Sequence, residues 1–509
     1  MHLMNLRDRS VLVLGLGISG AAMARWCLDA GARVRAVDSR EAPPNLETLR
    51  AERPALETRV GAVDSTLLDG VDLVCVSPGI APDDAAFGSV LEAARARGVD
   101  VLGELGLFVA ALRALHQSRG YAPAVVGVTG TNGKTTVTAL TTHLLKAAGV
   151  DAQEAGNIGP AMLDMLRARI DGARLPDAWV LELSSFQLHG VGDFAATAAT
   201  VLNITQDHID WHGSMQAYAA DKARIFGPEP WQLAEQPGLM VLNRDDPRVM
   251  ALARDGRRAQ TFGLDAPCRD ADWGIVQEHG MAWLARARAD TDQEPPKRRP
   301  KGAPPPPPAP VSLQMLMPAD ALRIQGRHNW ANALAALALA ASTGAALGPM
   351  LHGLRSYRGE PHRMQSLGMI DGVEWIEDSK GTNVGATVAA LQGMGRPVVL
   401  IAGGDGKGQD FTPLGDAART RLRAALLIGR DAPAIEAALG DACPVEHASD
   451  LEHATRRAAE LAQAGDVVLL SPACASLDMF RNYAHRAQVF ADTVADIAHA
   501  RGVQLEVGA

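Results

Sequence analysis

An apolar run at 124–128, Ala-Val-Val-Gly-Val, is followed within two residues by Gly-Thr-Asn-Gly-Lys-Thr-Thr at 130–136. This order constrains a chain tightly: a buried strand must stop, turn through glycines and restart as a helix. Gly130 and Gly133 allow backbone N–H groups, with those of Thr131, Asn132 and Thr136, to close around an anion. Lys134 adds a point charge, and the Thr135 hydroxyl is an oxygen ligand suited to Mg²⁺. The spacing differs from the general phosphate loop, because the position five before Gly133 is Val128 and Gly130 stands three before it. ATP is the expected ligand; a plain turn is the alternative.

With 509 residues the chain exceeds one core, and three domains are expected. The net charge of −9 provides no general attraction to nucleic acid or anionic membrane, so phosphate-binding cations must be concentrated locally. Cys27, Cys75, Cys268, Cys443 and Cys474 form no CxxC pair and read as free thiols. Residues 1–10 lack the layout of a signal peptide and no apolar run is long enough to span a bilayer, so the cytoplasm is expected.

Strands alternate with helices nearly throughout, predicting parallel, doubly wound sheets. Strands are expected at 10–14, 33–37, 73–76 and 99–102, then at 124–128, 179–183, 200–204 and 239–242, and finally at 373–377, 398–402, 424–428 and 467–471. Helices are expected at 21–30, 215–226 and 328–342. Residues 290–310, with five consecutive prolines, predict a solvated extended segment, either a linker or an insertion. The basic residues within it read as solubilising.

Several further motifs sit at predicted strand ends, where ligands of α/β sheets collect. Gly15-Leu16-Gly17-Ile18-Ser19-Gly20, with Asp38 at the end of the next strand, matches a dinucleotide fingerprint and fits either NAD(P) or another nucleotide diphosphate. Glu182 ends a strand beside the phosphate loop and is a candidate Mg²⁺ ligand; a solvated carboxylate is the alternative. His208 follows another strand, as metal ligand or hydrogen-bonder. The segments 377–383 and 403–407 place Lys380 and Lys407 in glycine-containing loops suited to an anionic substrate. Cys474 has no histidine nearby in sequence and reads as a packed residue.

Taken together, the motifs resemble the ATP-dependent Mur ligases of peptidoglycan synthesis. The resemblance rests on 130–136, Leu-Glu-Leu-Ser-Ser-Phe-Gln-Leu at 181–188, Asp-His-Ile-Asp at 207–210, Gly-Arg-His-Asn at 326–329, Pro-His-Arg at 361–363, Asp-Ser-Lys-Gly-Thr-Asn at 378–383, and 471–478. It implies an α/β fold of three domains: a Rossmann-like N-terminal UDP-sugar domain (1–112), a central P-loop ATPase-like domain (113–359, with a Pro-rich insertion at about 286–312), and a C-terminal Rossmann-like domain (360–509). The implied reaction is ATP-dependent joining of D-glutamate to UDP-N-acetylmuramoyl-L-alanine through an acyl phosphate. Sister ligases differ. The Asp-Asn-Pro-Arg motif of the diamino-acid-adding enzyme is absent, and Asn132 stands where the alanine-adding enzyme usually has His. A dehydrogenase fused to an ATPase, or a non-catalytic nucleotide-binding regulator, is the competing reading.

The resemblance also implies roles. Gly17, Ile18, Ser19, Asp38, Ser39, Arg40, Gly79 and Asn157 would hold the UDP substrate. Asn329, Asn332, Arg363 and Asp378 would join the loop in binding ATP. Lys380, Thr382, Lys407, Ser476, Leu477 and Tyr483 would bind D-glutamate; Tyr483 stands where the family can have Phe. Thr135, Glu182, His208 and Lys222 would arrange two Mg²⁺ ions, with Lys134, His208 and Lys222 closest to catalysis. An ammonium at Lys222 would repel a metal, so a carbamate formed with CO₂ (N6-carboxylysine) is expected there; an exposed helix lysine is the alternative. Only small-molecule partners are implied, with a monomer and no nucleic acid or membrane.

Overall fold

A computed structural model describes residues 6–192, 194–227, 238–290, 310–324 and 326–505. The described residues form three sheets, in chain order. The first is wholly parallel, with strands ordered Glu57–Val60, Arg33–Asp38, Ser10–Leu14, Leu73–Val76 and Asp100–Leu102. The reversal of direction beside Ser10–Leu14 opens a crevice at the carboxyl ends of the strands, where the Gly15–Gly20 turn lies.

The second sheet has nine strands among the described residues. Its parallel part runs Ala259–Phe262, Leu239–Asn243, Ala198–Val201, Ala124–Thr129, Ala178–Glu182 and Ala152–Gly156. Trp273–Glu278, Met281–Ala289 and Val311–Pro318 extend it as an antiparallel meander that the sequence did not suggest. The Pro-rich expectation falls almost entirely on 291–309, outside the described residues. Its ends are paired: Ala289 lies opposite Val311, and Asp290 N–H donates to Pro310 O (3.1 Å). The run therefore leaves and re-enters one hairpin, an insertion rather than a linker between sheets.

The third sheet runs Gln365–Ile370, Val373–Glu377, Val467–Leu470, Val398–Gly403, Leu422–Ile428 and Val445–His447, parallel except for its first pair. The expected strands are present within a few residues. The unexpected ones are mostly edges or the antiparallel extension, where exposure weakens the apolar signal. One helix needs correction. The helix expected over 215–226 is α-helical only over Met215–Ala223, then tightens into a 3₁₀ turn at Arg224–Phe226. Gly227 ends it at φ +59°, with Phe194 O where a Cβ would sit (2.0 Å).

Core packing divides the molecule unequally. One continuous apolar cluster joins the first two sheets through the helix Glu104–Arg119, from Val11 and Met23 to Phe108, Trp179 and Leu183. Phe108 meets Trp179 edge-on (5.2 Å), and the Trp179 indole N–H donates to Tyr121 Oη (2.9 Å). The apolar clusters of the third sheet contain only residues from its own segment. Several polar contacts therefore mark its boundary with the central sheet, the kind of surface across which domains separate most readily.

Candidate active site

The phosphate loop lies between the buried strand Ala124–Thr129 and the helix Lys134–Ala147. Gly133 adopts φ +84°, a conformation that favours glycine, and a Cβ there would sit 2.8 Å from Asn332 Oδ1 and displace that side chain. Asn203 grips the Asn132 backbone on both sides: Asn132 N–H donates to Asn203 Oδ1 (2.8 Å) and Asn203 Nδ2 to Asn132 O (3.1 Å). Lys134 Nζ donates to Gly130 O (2.9 Å) and Thr131 O (2.8 Å), while Lys222 Nζ donates to the same Gly130 O (2.8 Å). Two ammonium groups thus converge on one carbonyl. Burial pushes both lysines down, Lys222 far down; the Arg363 charge adds to this at Lys134 and the Lys134 charge at Lys222, while Glu182 and Asp207 partly offset it at Lys134 and Asp207 at Lys222.

Lys222 is 1% exposed, which excludes the exposed-helix reading. Its ammonium lies 4.4 Å over the Tyr218 ring, and Tyr218 Oη lies 3.1 Å from Thr131 Oγ1. Sequence reasoning missed Tyr218, although its i, i+4 spacing to Lys222 places the two on one helix face. It also missed a side-chain chain that fixes this helix. His189 Nδ1 and His212 Nδ1 lie 2.9 and 3.0 Å from Asp221 Oδ2, and His212 Nε2 lies 2.9 Å from Ser185 Oγ. Burial opposes ionisation of Asp221, but hydrogen bonds from His189, His212 and Arg224 outweigh it and hold the carboxyl well below its usual range.

Glu182 is buried, and its Oε1 accepts from Asn157 Nδ2 (3.0 Å). His208 adopts φ +54° just before the turn Ile209–His212, with its ring 4.7 Å from Phe186. Burial lowers its pKa despite the neighbouring Asp207. Among the described residues no group of three His, Cys, Asp or Glu is placed to hold a metal ion. The expected set is of another kind. Thr135 and Glu182 supply oxygen, as a hard cation requires. Lys222 fits as a ligand only once its nitrogen carries an acid group, and burial, by disfavouring its charge, shifts it toward the neutral amine that such a reaction needs.

A cavity of about 250 Å³ opens between the loop and the third sheet. Asn132, Gly133, Thr136, Asn329, Asn332, Arg363 and Asp378, all expected around ATP, line it with Asn203, Thr205 and His328. Asn332 Nδ2 donates to Asn329 Oδ1 (2.9 Å), and Arg363 Nη2 donates to Thr135 Oγ1 (2.7 Å) across the sheet boundary. Burial raises Asp378 to about 7, although Ser471 Oγ donates to it (2.8 Å). A carboxyl raised from 3.8 binds more protons folded than unfolded between those values, so its cost to stability grows as pH rises through that window. Asp378→Asn is expected to raise the melting temperature at pH 8, with an effect that fades as pH falls through that window and vanishes below pH ~2.8, where both states are protonated; thermal melts across the window check this.

The remaining candidates lie outside the cavity lining. Leu16 N–H donates to Asp38 Oδ2 (2.7 Å), and Arg40 bonds both carboxylate oxygens (2.9 and 2.7 Å). Ile18 begins the helix Ile18–Asp29 and is 66% exposed; Gly17 caps it. In the third-sheet segment, Lys380 Nζ lies 5.4 Å over the Tyr483 ring, with burial lowering its pKa to about 8. The loops of Lys407 and Ser476 are stitched together, since Asp405 N–H donates to Ala475 O (3.0 Å) and Ala475 N–H returns to Asp405 O (2.9 Å). Leu477 projects into solvent. Arg486, another residue the sequence did not reveal, is fully buried and donates to Ser379 O (2.8 Å) and Cys474 O (3.2 Å), bracing the loops of Lys380 and Ser476. Cys474 is buried, as expected.

Three family models match in the order of the sheets: the Mur ligase MurD-like N-terminal domain at 9–103, the Mur ligase middle domain at 128–285, and the Mur ligase glutamate ligase domain at 362–474. The UDP-N-acetylmuramoylalanine--D-glutamate ligase of Cupriavidus metallidurans is 54% identical over 503 residues, covering 98% of this chain and 99% of the relative. The protein of the same name from Burkholderia pseudomallei (strain 668) is 55% identical, covering 97% and 98%. The fold also resembles the MurF ligase of Thermotoga maritima, solved in complex with ADP, with a TM-score of 0.57 at 16% identity over 97% of this chain and 96% of that one. The chain belongs to the Mur ligase family.

Proposed function

We infer that this chain is the ATP-dependent ligase that joins D-glutamate to UDP-N-acetylmuramoyl-L-alanine in peptidoglycan precursor synthesis. One observation carries this reading: identity of about 55% over nearly the whole length to curated enzymes of that activity. The arrangement of an ATP loop between a glycine turn and a lysine-bearing loop pair supports it. On this reading the Gly15–Gly20 turn grips UDP, not a nicotinamide cofactor.

A carboxylate is a poor acylating agent. Its oxygen attacks the γ-phosphorus of ATP, ADP departs, and an acyl phosphate forms. The D-glutamate ammonium loses a proton, its nitrogen attacks the acyl carbon, and the tetrahedral adduct expels phosphate with loss of a second proton. We assign Lys134 to the charge of the transferring phosphoryl group and the loop N–H groups to orientation. Asn329 and Asn332 face the nucleotide, and Asp378 its ribose. Asp38 and Arg40 are assigned to the UDP end, with Gly17, Ile18, Ser19, Ser39, Gly79 and Asn157. Lys380, Thr382, Lys407, Ser476, Leu477 and Tyr483 are assigned to D-glutamate. Thr135, Glu182, His208 and carbamylated Lys222 would hold Mg²⁺, which neutralises phosphate charge when bound.

The carbamate leads to a distinct expectation. Lys222→Ala should lose at least about a hundredfold in rate, and a short carboxylic acid added to the variant should restore part of it. A fully active Lys222→Ala protein contradicts the assignment. We place the protein in the cytoplasm as a monomer acting only on small molecules. No described helix is long and apolar enough to cross a membrane, and all five cysteines are free. Mass spectrometry of the product tests the function: UDP-N-acetylmuramoyl-L-alanyl-D-glutamate is expected, and its absence in the presence of all substrates would overturn the reading.

A further inference from the structure

Besides the Arg363–Thr135 contact, a reciprocal pair of amides links the phosphate loop to the third sheet. Asn383 Nδ2 donates to Asn132 Oδ1 (2.9 Å), and Asn132 Nδ2 donates back to Asn383 Oδ1 (3.2 Å). Neither side chain is free to wander. Asn203 holds the Asn132 backbone from both sides, and Asn383 Oδ1 also caps the helix Val384–Gly393 by accepting from Ala386 N–H (2.9 Å). The first turn of that helix presses on the loop. A Cβ at Gly385 would lie 3.0 Å from Thr205 Oγ1 and 3.1 Å from Asn132 Nδ2. A reciprocal amide pair needs both partners in place at once, and a shift of about an ångström breaks both bonds. The apolar clusters of the third sheet end within their own segment, so this polar contact carries positional information across the boundary.

We propose that Asn383 is a positioning residue for phosphoryl transfer, tying the seating of the third sheet to the shape of the phosphate loop through Asn132. This rests on the ligase reading. Asn383→Asp separates the two duties of the residue. The aspartate keeps an acceptor for Ala386 N–H at a helix N-terminus, where negative charge is favourable. It loses the donor to Asn132 and sets an anionic oxygen against Asn132 Oδ1. The experiment compares wild type, Asn132→Ala, Asn383→Asp and the double variant in melting temperature and in D-glutamate-dependent phosphate release. Asn383→Asp should melt no lower than wild type, lose about tenfold in kcat, and keep the wild-type KM for UDP-N-acetylmuramoyl-L-alanine. The double variant should be no more than about twofold slower than Asn132→Ala alone, because coupled residues do not add. A kcat for Asn383→Asp within about twofold of wild type, losses that multiply in the double variant, or a lowered melting temperature that accounts for the rate loss would each overturn the proposal. D-glutamate-dependent release by the wild-type protein in the same assay separates failure of the ligase reading from failure of this one.

Discussion

Lys134→Ala is expected to leave a folded protein whose D-glutamate-dependent phosphate release is at least about a hundredfold slower, the scale of removing one preorganised charge from a developing anion. The fold should survive because the helix Lys134–Ala147 holds its place through buried apolar residues such as Val137, Leu140 and Leu144. The Gly130 carbonyl also keeps Lys222 as a donor. The rate should not survive. Lys134 Nζ rests on the carbonyls of Gly130 and Thr131, at the centre of the anion cradle, where low dielectric strengthens its attraction for phosphate. Circular dichroism and a phosphate-release assay on one preparation check both halves. A rate within a few-fold of wild type would remove Lys134 from the account.

Gly20→Ala is the second large effect, on stability. A Cβ at Gly20 would lie 1.7 Å from Gly15 O and 2.7 Å from Ser77 Oγ, which itself donates to Gly15 O (2.9 Å). Backbone cannot retreat as a flexible side chain can, so the helix Ile18–Asp29 must lift from the turn. The cost is about 1–3 kcal/mol or more, and the first sheet should melt several degrees earlier with weakened binding of the UDP substrate. Gly17→Ala is the control. Nothing lies within 4 Å of its Cβ and its φ is −70°, so it should melt like wild type. Equal melting of Gly20→Ala and wild type would show that the turn is less closely packed than the geometry requires.

The features legible in sequence were those written in local chemistry. Parallel strands buried on both faces read as apolar runs, so Val398–Gly403 and Ala124–Thr129 were visible within a residue or two. Phosphate-loop and fingerprint glycines announce their turns directly. Edge strands such as Ala152–Gly156 and Gln365–Ile370 mix polar and small residues and gave no such signal. The antiparallel hairpin was hidden because its two strands are separated by the Pro-rich run. Residues that act through long-range contacts were equally silent. Asn203 and Arg486 resemble any polar residue in sequence, and only the fold brings one to the phosphate loop and the other beneath the loops of Lys380 and Cys474. The burial of Lys222 was likewise invisible, since Asp221 beside it suggests an exposed face; His189 and His212 satisfy that carboxylate internally.

Phosphate release with each substrate omitted in turn tests the central claim most directly. Release that requires ATP, UDP-N-acetylmuramoyl-L-alanine and D-glutamate together is the expected result, because the acyl phosphate turns over only when the amine arrives. Steady release that does not depend on D-glutamate would contradict the ligase assignment.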